Sequence, residues 1–122
     1  MNNNFELYEK LLRAVRPMLL KRNNRPSSAA FKPRKGEGLS VERTADRSVV
    51  DAVEHIKTYL EGSVFSVTMM DCYNAHAKPK YCPSAGNPYH CEIHKSETVI
   101  ELDEEQALFL AENAYCEYLV TK

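Results

Sequence analysis

The sequence lacks several features that would indicate a class of function at once. Its 122 residues carry a formal net charge of −1, so no strong overall field attracts nucleic acid or a membrane surface. No apolar run approaches the length of a membrane-spanning helix, and the start MNNNFELYEK lacks the basic flank and apolar core of a signal peptide. None of its four glycines falls in a G-x-S-x-G, phosphate-loop or dinucleotide-binding motif. We therefore expect a cytoplasmic protein with no membrane partner.

Size and composition are typical of one globular domain. Hydrophobic residues make up 43% and charged residues 27% of the chain, and 122 residues suit a single core. Hydrophobic spacing predicts the order helix, loop, strand, helix, strand, loop, strand, helix, with the first helix within residues 5–15 and a polar loop at 71–88. We therefore predict an α+β domain over residues 1–122, a short β-sheet packed by about three helices.

Local signals mark the starts of two later helices. Ser48 with Asp51, and Asp103 with Gln106, have the spacing of a capping box. Strand-like stretches are expected at 38–43, 64–70, 89–94 and 98–102. The last helix is expected to bury one stripe: Ala107, Leu110, Ala111, Ala114, Tyr115 and Tyr118.

The stretch RPSSAAFKP, residues 25–33, is the first candidate site. Arg25 offers five donors in a planar fork that matches phosphate or carboxylate, and Ser27 and Ser28 add hydroxyl donors. The same residues also fit a structural loop, in which the serines bond to backbone and the arginine pairs with a nearby acid. Both interpretations stay open. Three more basic residues raise the local positive potential: Lys32, Arg34 and Lys35.

The stretch HCEIH, residues 90–94, is the second candidate. On a strand, His90, Glu92 and His94 project from one face, where an imidazole can accept and donate protons near neutral pH. The alternative is an ordinary polar face turned to solvent. His90 and Cys91 point to opposite faces, which argues against a thiolate–imidazole pair.

A zinc site is the third candidate. Six potential ligands fall within 23 residues, but paired C-x2-C spacing is absent. The four cysteines are expected to be reduced thiols, because no secretory context supports disulfides. The possible ligands are Cys72, His76, Cys82, His90, Cys91 and His94.

Four short patches within residues 12–114 carry a resemblance to a family of small bacterial proteins without an assigned activity. The patches are RPSSAAF, GLSV, SVTMMDC and the histidine of YHCEI. The resemblance directs attention to Arg25, Ser27, Ser28, Phe31, Ser40 and His90, and it implies no cofactor. Only Cys72 among the cysteines matches the pattern, which weakens the zinc hypothesis.

The order arginine, strand, helix is also loosely similar to small ADP-ribosyltransferase-like toxin domains of the RES type. In that analogy, Glu54 on the helix is the acidic partner in catalysis. The chain is too short to hold a convincing second half of that fold.

The leading hypothesis is a pocket for a phosphate-bearing ligand such as a nucleotide, NAD or RNA, in a toxin or defence context. Arg25 clamps the phosphate, Ser27, Ser28 and Ser40 position it, and His90 transfers protons. The first alternative is a non-enzymatic interaction module in which these residues are structural and the partner is a protein. The second is a zinc-stabilised domain. Whether the chain is an enzyme stays open.

Overall fold

A six-stranded antiparallel sheet organises the part of the chain that the computed structural model describes, residues 4–120. The strands are β1 (Lys10–Val15), β2 (Leu39–Arg43), β3 (Ser63–Thr68), β4 (Lys78–Tyr81), β5 (His90–His94) and β6 (Tyr115–Tyr118). The helices are α1 (Val49–Lys57), α2 (Met69–Asn74) and α3 (Glu104–Asn113), with short 3-10 helices at Pro17–Leu19 and Ser28–Phe31. The strand order is β4-β5-β2-β1-β3-β6. The predicted α+β class, one small sheet with three helices, is confirmed.

The two faces of the sheet are covered to different extents. Leu11, Phe65 and Ile93 belong to the larger core, which also contains Phe31 of the second 3-10 helix and Leu110 of α3. On the other face, a smaller cluster joins α1 to the central strands: Leu12, Ala52, Val53, Ile56 and Val64. α1 covers this second face only near β1 and β3. Over β2, β5 and β4 the same face carries polar side chains, among them Glu42, His90 and His94, and we call it the polar face.

The helix predicted within residues 5–15 is wrong, because residues 10–15 form β1. This strand lies inside the sheet, between β2 and β3. Leu11 and Leu12 are both buried, one in each core cluster. A strand that is covered on both faces loses the alternation of apolar and polar residues, so its spacing can imitate a helix.

The predicted helix starts are confirmed. Ser48 Oγ accepts a hydrogen bond from the backbone N–H of Asp51, and Asp103 and Gln106 form a reciprocal capping box. The boundaries differ elsewhere: residues 71–88 are not one loop but hold most of α2 and all of β4.

The end of the chain also differs from its prediction. Residues 98–102 form no strand, and α3 ends at Asn113. Ala114 is buried beyond the helix, while Tyr115 and Tyr118 lie on β6. An extended residue at 114 ends the apolar stripe, and the chain returns as an edge strand beside β3.

No helix in residues 4–120 is long and apolar enough to cross a bilayer.

Candidate active site on the polar face of the sheet

A buried carboxylate, Glu42, is the centre of the polar face. Glu42 lies on β2, with 3% of its surface exposed. Its Oε1 accepts hydrogen bonds from Tyr59 Oη at 2.6 Å and Asn87 Nδ2 at 2.9 Å. Its Oε2 accepts from Arg47 Nη2 at 3.0 Å and contacts His55 Nδ1 at 2.9 Å. Four groups from α1, its flanking loops and the loop before β5 therefore converge on one carboxylate.

These contacts keep Glu42 ionised. Burial alone opposes the charged form, but the hydrogen bonds from His55, Tyr59, Asn87 and Arg47 outweigh it and lower the pKa of Glu42. A carboxylate that is already saturated with donors is a poor proton acceptor. Its physical effect is to orient its partners.

His55 is held by this carboxylate in one tautomer. An ionised carboxylate can only accept a hydrogen bond, so the 2.9 Å contact places a proton on His55 Nδ1. Neutral imidazole then carries its lone pair on Nε2, which has no hydrogen-bond partner within residues 4–120. The side chain is 37% exposed. A carboxylate, an oriented imidazole and an accessible Nε2 are the components of a general base.

Arg47 places a positive charge beside this pair. Its Nη2 donates to Glu42 Oε2 and to the carbonyl of Arg43 at 2.6 Å, and its guanidinium lies 3.4 Å from the centre of the Tyr89 ring. Its Nη1 has no hydrogen-bond partner in the described part of the chain. The arginine is therefore rigidly held with two N–H donors unused, an arrangement suited to an anion.

His90, a predicted site residue, lies next to this cluster. It is the cross-strand partner of Glu42, and such neighbours have Cβ atoms about 5 Å apart. Its Nδ1 donates to the carbonyl of Cys82 at 3.0 Å, because a carbonyl oxygen only accepts. His90 Nε2 has no partner within residues 4–120. The polar face thus presents two oriented imidazoles.

The same face continues toward β4. Ser40, two residues before Glu42, is exposed, and it is paired across the sheet with Glu92. Glu92 Oε1 contacts His94 Nε2 at 2.9 Å. The Nε2 of His94 is therefore bonded to a carboxylate, whereas the Nε2 atoms of His55 and His90 have no partner among the described residues.

Arg25 occupies a different place from the one predicted for a phosphate clamp. Its Nη2 donates to the carbonyls of Ala111, Glu112 and Ala114, at 3.2, 3.2 and 2.6 Å. The guanidinium also lies 5.8 Å from the centre of the Phe65 ring. Arg25 therefore caps the C-terminal end of α3, where unpaired carbonyls attract a cation.

The serines of the loop also bond within the protein. Ser27 Oγ donates to the carbonyl of Leu19 at 2.8 Å, and Ser28 Oγ donates to Glu104 at 3.0 Å. Lys32 pairs with the same glutamate. The stretch 25–33 thus connects the first 3-10 helix to both ends of α3.

The structure brings together only part of the predicted site. Ser40 and His90 share the polar face, whereas Arg25 faces the opposite core, with β2 and β1 standing between β5 and β3. Glu54 is exposed on α1 and pairs with Lys57 at 3.2 Å. Neither Arg25 nor Glu54 joins His90 in one constellation.

The proposed zinc ligands are not gathered into one site. Within residues 4–120, no group of three or more His, Cys, Asp or Glu side chains is placed to hold a metal ion. Cys72 and Cys91 are buried in the larger core, and burial raises the pKa of each thiol to about 12. His90 and His94 project from the opposite face.

Sequence reasoning missed His55, Tyr59, Arg47 and Glu42. His55 and Tyr59 stand four apart in sequence, a spacing that places two residues on the same face of a helix. This spacing is a weak signal for a site. The strand prediction at 38–43 gave no reason to expect that Glu42 is buried. A charged residue is buried there only because partners distant in sequence reach it.

Arg47 also borders an open groove of about 670 Å³ at the start of β1. Its other lining residues carry mixed charge, among them Glu6, Lys10 and Asp46. Neither His55 nor His90 lines this groove, so the groove is distinct from the candidate site.

No protein-family model, curated protein or solved structure matches this chain at a significant level. The resemblance to the family with the RPSSAAF and GLSV patches stays a prediction.

Proposed function

We propose that this protein binds a phosphate-bearing ligand on the polar face and transfers protons to and from it. The observation that carries the proposal is the Glu42–His55 pair, a saturated buried carboxylate that orients an exposed imidazole. Arg47 supplies unused N–H donors beside it, and His90 supplies a second oriented imidazole. His55 and His90 are the candidate catalytic residues, and Glu42 is a positioning residue.

This proposal keeps the ligand class that the sequence suggests but moves its phosphate from Arg25 to Arg47. The reason is position: Arg25 lies at the end of α3 against Phe65 of the larger core, whereas Arg47 shares the acceptor Glu42 with His55. The bacterial and cytoplasmic setting, and a toxin or defence context, are also proposals and rest on the sequence alone.

The test is a titration of the isotope-labelled protein with inorganic phosphate, AMP and NAD, followed by NMR of the imidazole groups and the backbone amides. We expect saturable shifts at His55 and His90, with smaller ones at His94. His76, which is exposed beyond α2, serves as the internal control. Shifts confined to residues 25–35 would instead place the anion at the arginine–serine loop, and no shift at any histidine would overturn the proposal.

A second candidate function is a non-enzymatic interaction module. It is favoured by the hydrogen bonds of Arg25 and Ser27, whose side-chain donors go to backbone carbonyls of the protein itself. In this case the motif is a folding element, and the partner is a protein. A thermal-shift screen of wild type and Arg25→Ala against phosphate, nucleotides, NAD and short RNA separates the two. A ligand shift kept by the variant favours the polar-face site, and no shift in either protein favours the module.

A further inference from the structure

The polar face has proton-transfer groups but no activated nucleophile of its own among residues 4–120. Cys72 and Cys91 are buried away from it, and burial raises the pKa of both thiols. Cys82 is half-buried next to His90, and burial and the charge of Glu92 raise the pKa of its thiol, so it also stays protonated. Ser40 shares the face, yet its hydroxyl makes no hydrogen bond to either oriented imidazole in the described chain. A reaction at this site therefore takes its nucleophile from the substrate or from water.

RNA contains a nucleophile that needs only these groups. Its 2′-hydroxyl lies next to the phosphodiester, so a base that removes the hydroxyl proton and an acid that protonates the leaving oxygen suffice for cleavage. We propose that the polar face cleaves single-stranded RNA in this way. This inference rests on the proposed function, because it uses the same two imidazoles and the same arginine.

The steps need a neutral His55 with its lone pair on Nε2 and a His90 that is protonated on both ring nitrogens. His55 Nε2 takes the proton of the 2′-hydroxyl, and the 2′-oxygen forms a bond to phosphorus. The bond from phosphorus to the 5′-oxygen breaks, and that oxygen takes a proton from the Nε2 of charged His90. The products are a 2′,3′-cyclic phosphate and a 5′-hydroxyl, with no change in oxidation state. Arg47 Nη1 donates to the phosphate oxygens, where negative charge builds up.

An exposed aromatic ring beside the site favours a single strand over a duplex. Tyr59 is 50% exposed, and its hydroxyl is held by Glu42, so the ring keeps one orientation. Burial of the hydroxyl and its hydrogen bond to Glu42 raise the pKa of Tyr59, which excludes it as a base near neutral pH. Unstacked bases of single-stranded RNA bind such rings, whereas paired bases cannot reach them.

The experiment uses the full chain and an end-labelled RNA of mixed sequence. The same oligonucleotide with 2′-deoxy sugars is the matched substrate. We expect cleavage of the RNA alone, a cyclic-phosphate product detected by mass spectrometry, and a bell-shaped dependence of rate on pH. Cleavage of both substrates, or a 3′-phosphate formed with no cyclic intermediate, would overturn the 2′-hydroxyl mechanism.

Variants assign the proton transfers. His55→Gln and His90→Asn should each lower the rate by about 100-fold or more, the usual range for general acid–base groups. His76→Asn, prepared in parallel, should retain the wild-type rate and controls for the removal of a histidine outside the site; asparagine tolerates its positive φ of 59°. Circular dichroism checks that each variant folds. Equal rates in all variants would show that the activity is not of this site.

Binding separates this inference from the proposed function. Phosphate-induced shifts at His55 and His90 without RNA cleavage would overturn the nuclease inference and leave the proposed binding site standing. Absence of both phosphate shifts and cleavage would overturn the two together.

Discussion

The arginine–serine loop and the Glu42 cluster are both rich in donors, but they direct them differently. In the loop, the side chains of Arg25 and Ser27 donate to backbone carbonyls of the protein. In the cluster, the groups converge on Glu42 and leave the Nε2 of His55 and the Nη1 of Arg47 unused by described residues. A polar residue holds a fold together when its hydrogen bonds join distant backbone segments, as those of Arg25 and Ser27 do. It can recognise and act on a ligand when it is held firmly beside other groups that keep unused polar atoms, as Arg47 is beside His55.

The largest effect is expected from Glu42→Ala. It removes the carboxylate that pairs with Arg47 and leaves the donors of Tyr59 and Asn87 without that acceptor. We expect a loss of about 3–5 kcal/mol in the free energy of unfolding, as for a buried ion pair that loses one partner. Urea denaturation measures it. The matched control is Glu54→Ala on exposed α1, which should change stability by less than about 0.5 kcal/mol. Equal losses would show that the cluster is not a structural centre.

Arg25→Ala should have the next largest effect. Three carbonyls at the end of α3 lose their donor, which should cost about 1–3 kcal/mol in the free energy of unfolding. Arg22→Ala removes an exposed arginine from the same segment and is the control. Ligand binding by the folded Arg25 variant should be unchanged. A fully stable variant that no longer binds phosphate would reverse the comparison and restore Arg25 as the clamp.

Acid should weaken the cluster in a defined direction. The pKa of Glu42 is lowered in the folded protein, so its stabilising contribution is present above the ordinary glutamate pKa of about 4.3. The contribution is lost as pH falls through the lower folded value. Urea denaturation of wild type and Glu42→Gln between pH 7 and 3 measures it. We expect the stability difference between the two proteins to narrow as pH falls. A constant difference would mean that the charge of Glu42 contributes nothing.

The sequence predicted the fold class and the helix caps because these depend on neighbours. Ser48 and Asp51, for example, need only each other. It did not predict β1, whose two buried faces hide the alternation of a strand. It also did not predict the site, because Glu42 and Asn87 stand 45 residues apart and meet only through the pairing of β2 with β5. His90 was found because it lies on a regular strand, and Arg25 was noticed for its residue type, which cannot distinguish a helix cap from a phosphate clamp.

The smallest effects on stability are expected from replacing two adjacent serines of the loop, Ser27 and Ser28. Ser27→Ala removes a partly buried hydrogen bond to the carbonyl of Leu19 and should lower the free energy of unfolding by about 1 kcal/mol. Ser28→Ala removes an exposed bond to Glu104, which Lys32 still pairs, so the loss should stay below about 0.5 kcal/mol. Thermal and urea denaturation of the two variants compare them directly.

The order of the two serine variants tests the structural interpretation of the loop independently of Arg25. If the loop serves the fold by donating hydrogen bonds to buried carbonyls, the more buried bond must contribute more to stability. Ser27→Ala must then lower the free energy of unfolding more than Ser28→Ala. If both variants keep full stability yet weaken phosphate binding, the hydroxyls face a ligand, and the anion belongs at this loop. Equal losses of stability would mean that the exposed hydrogen bond from Ser28 to Glu104 stabilises the fold as much as the partly buried one from Ser27 to Leu19.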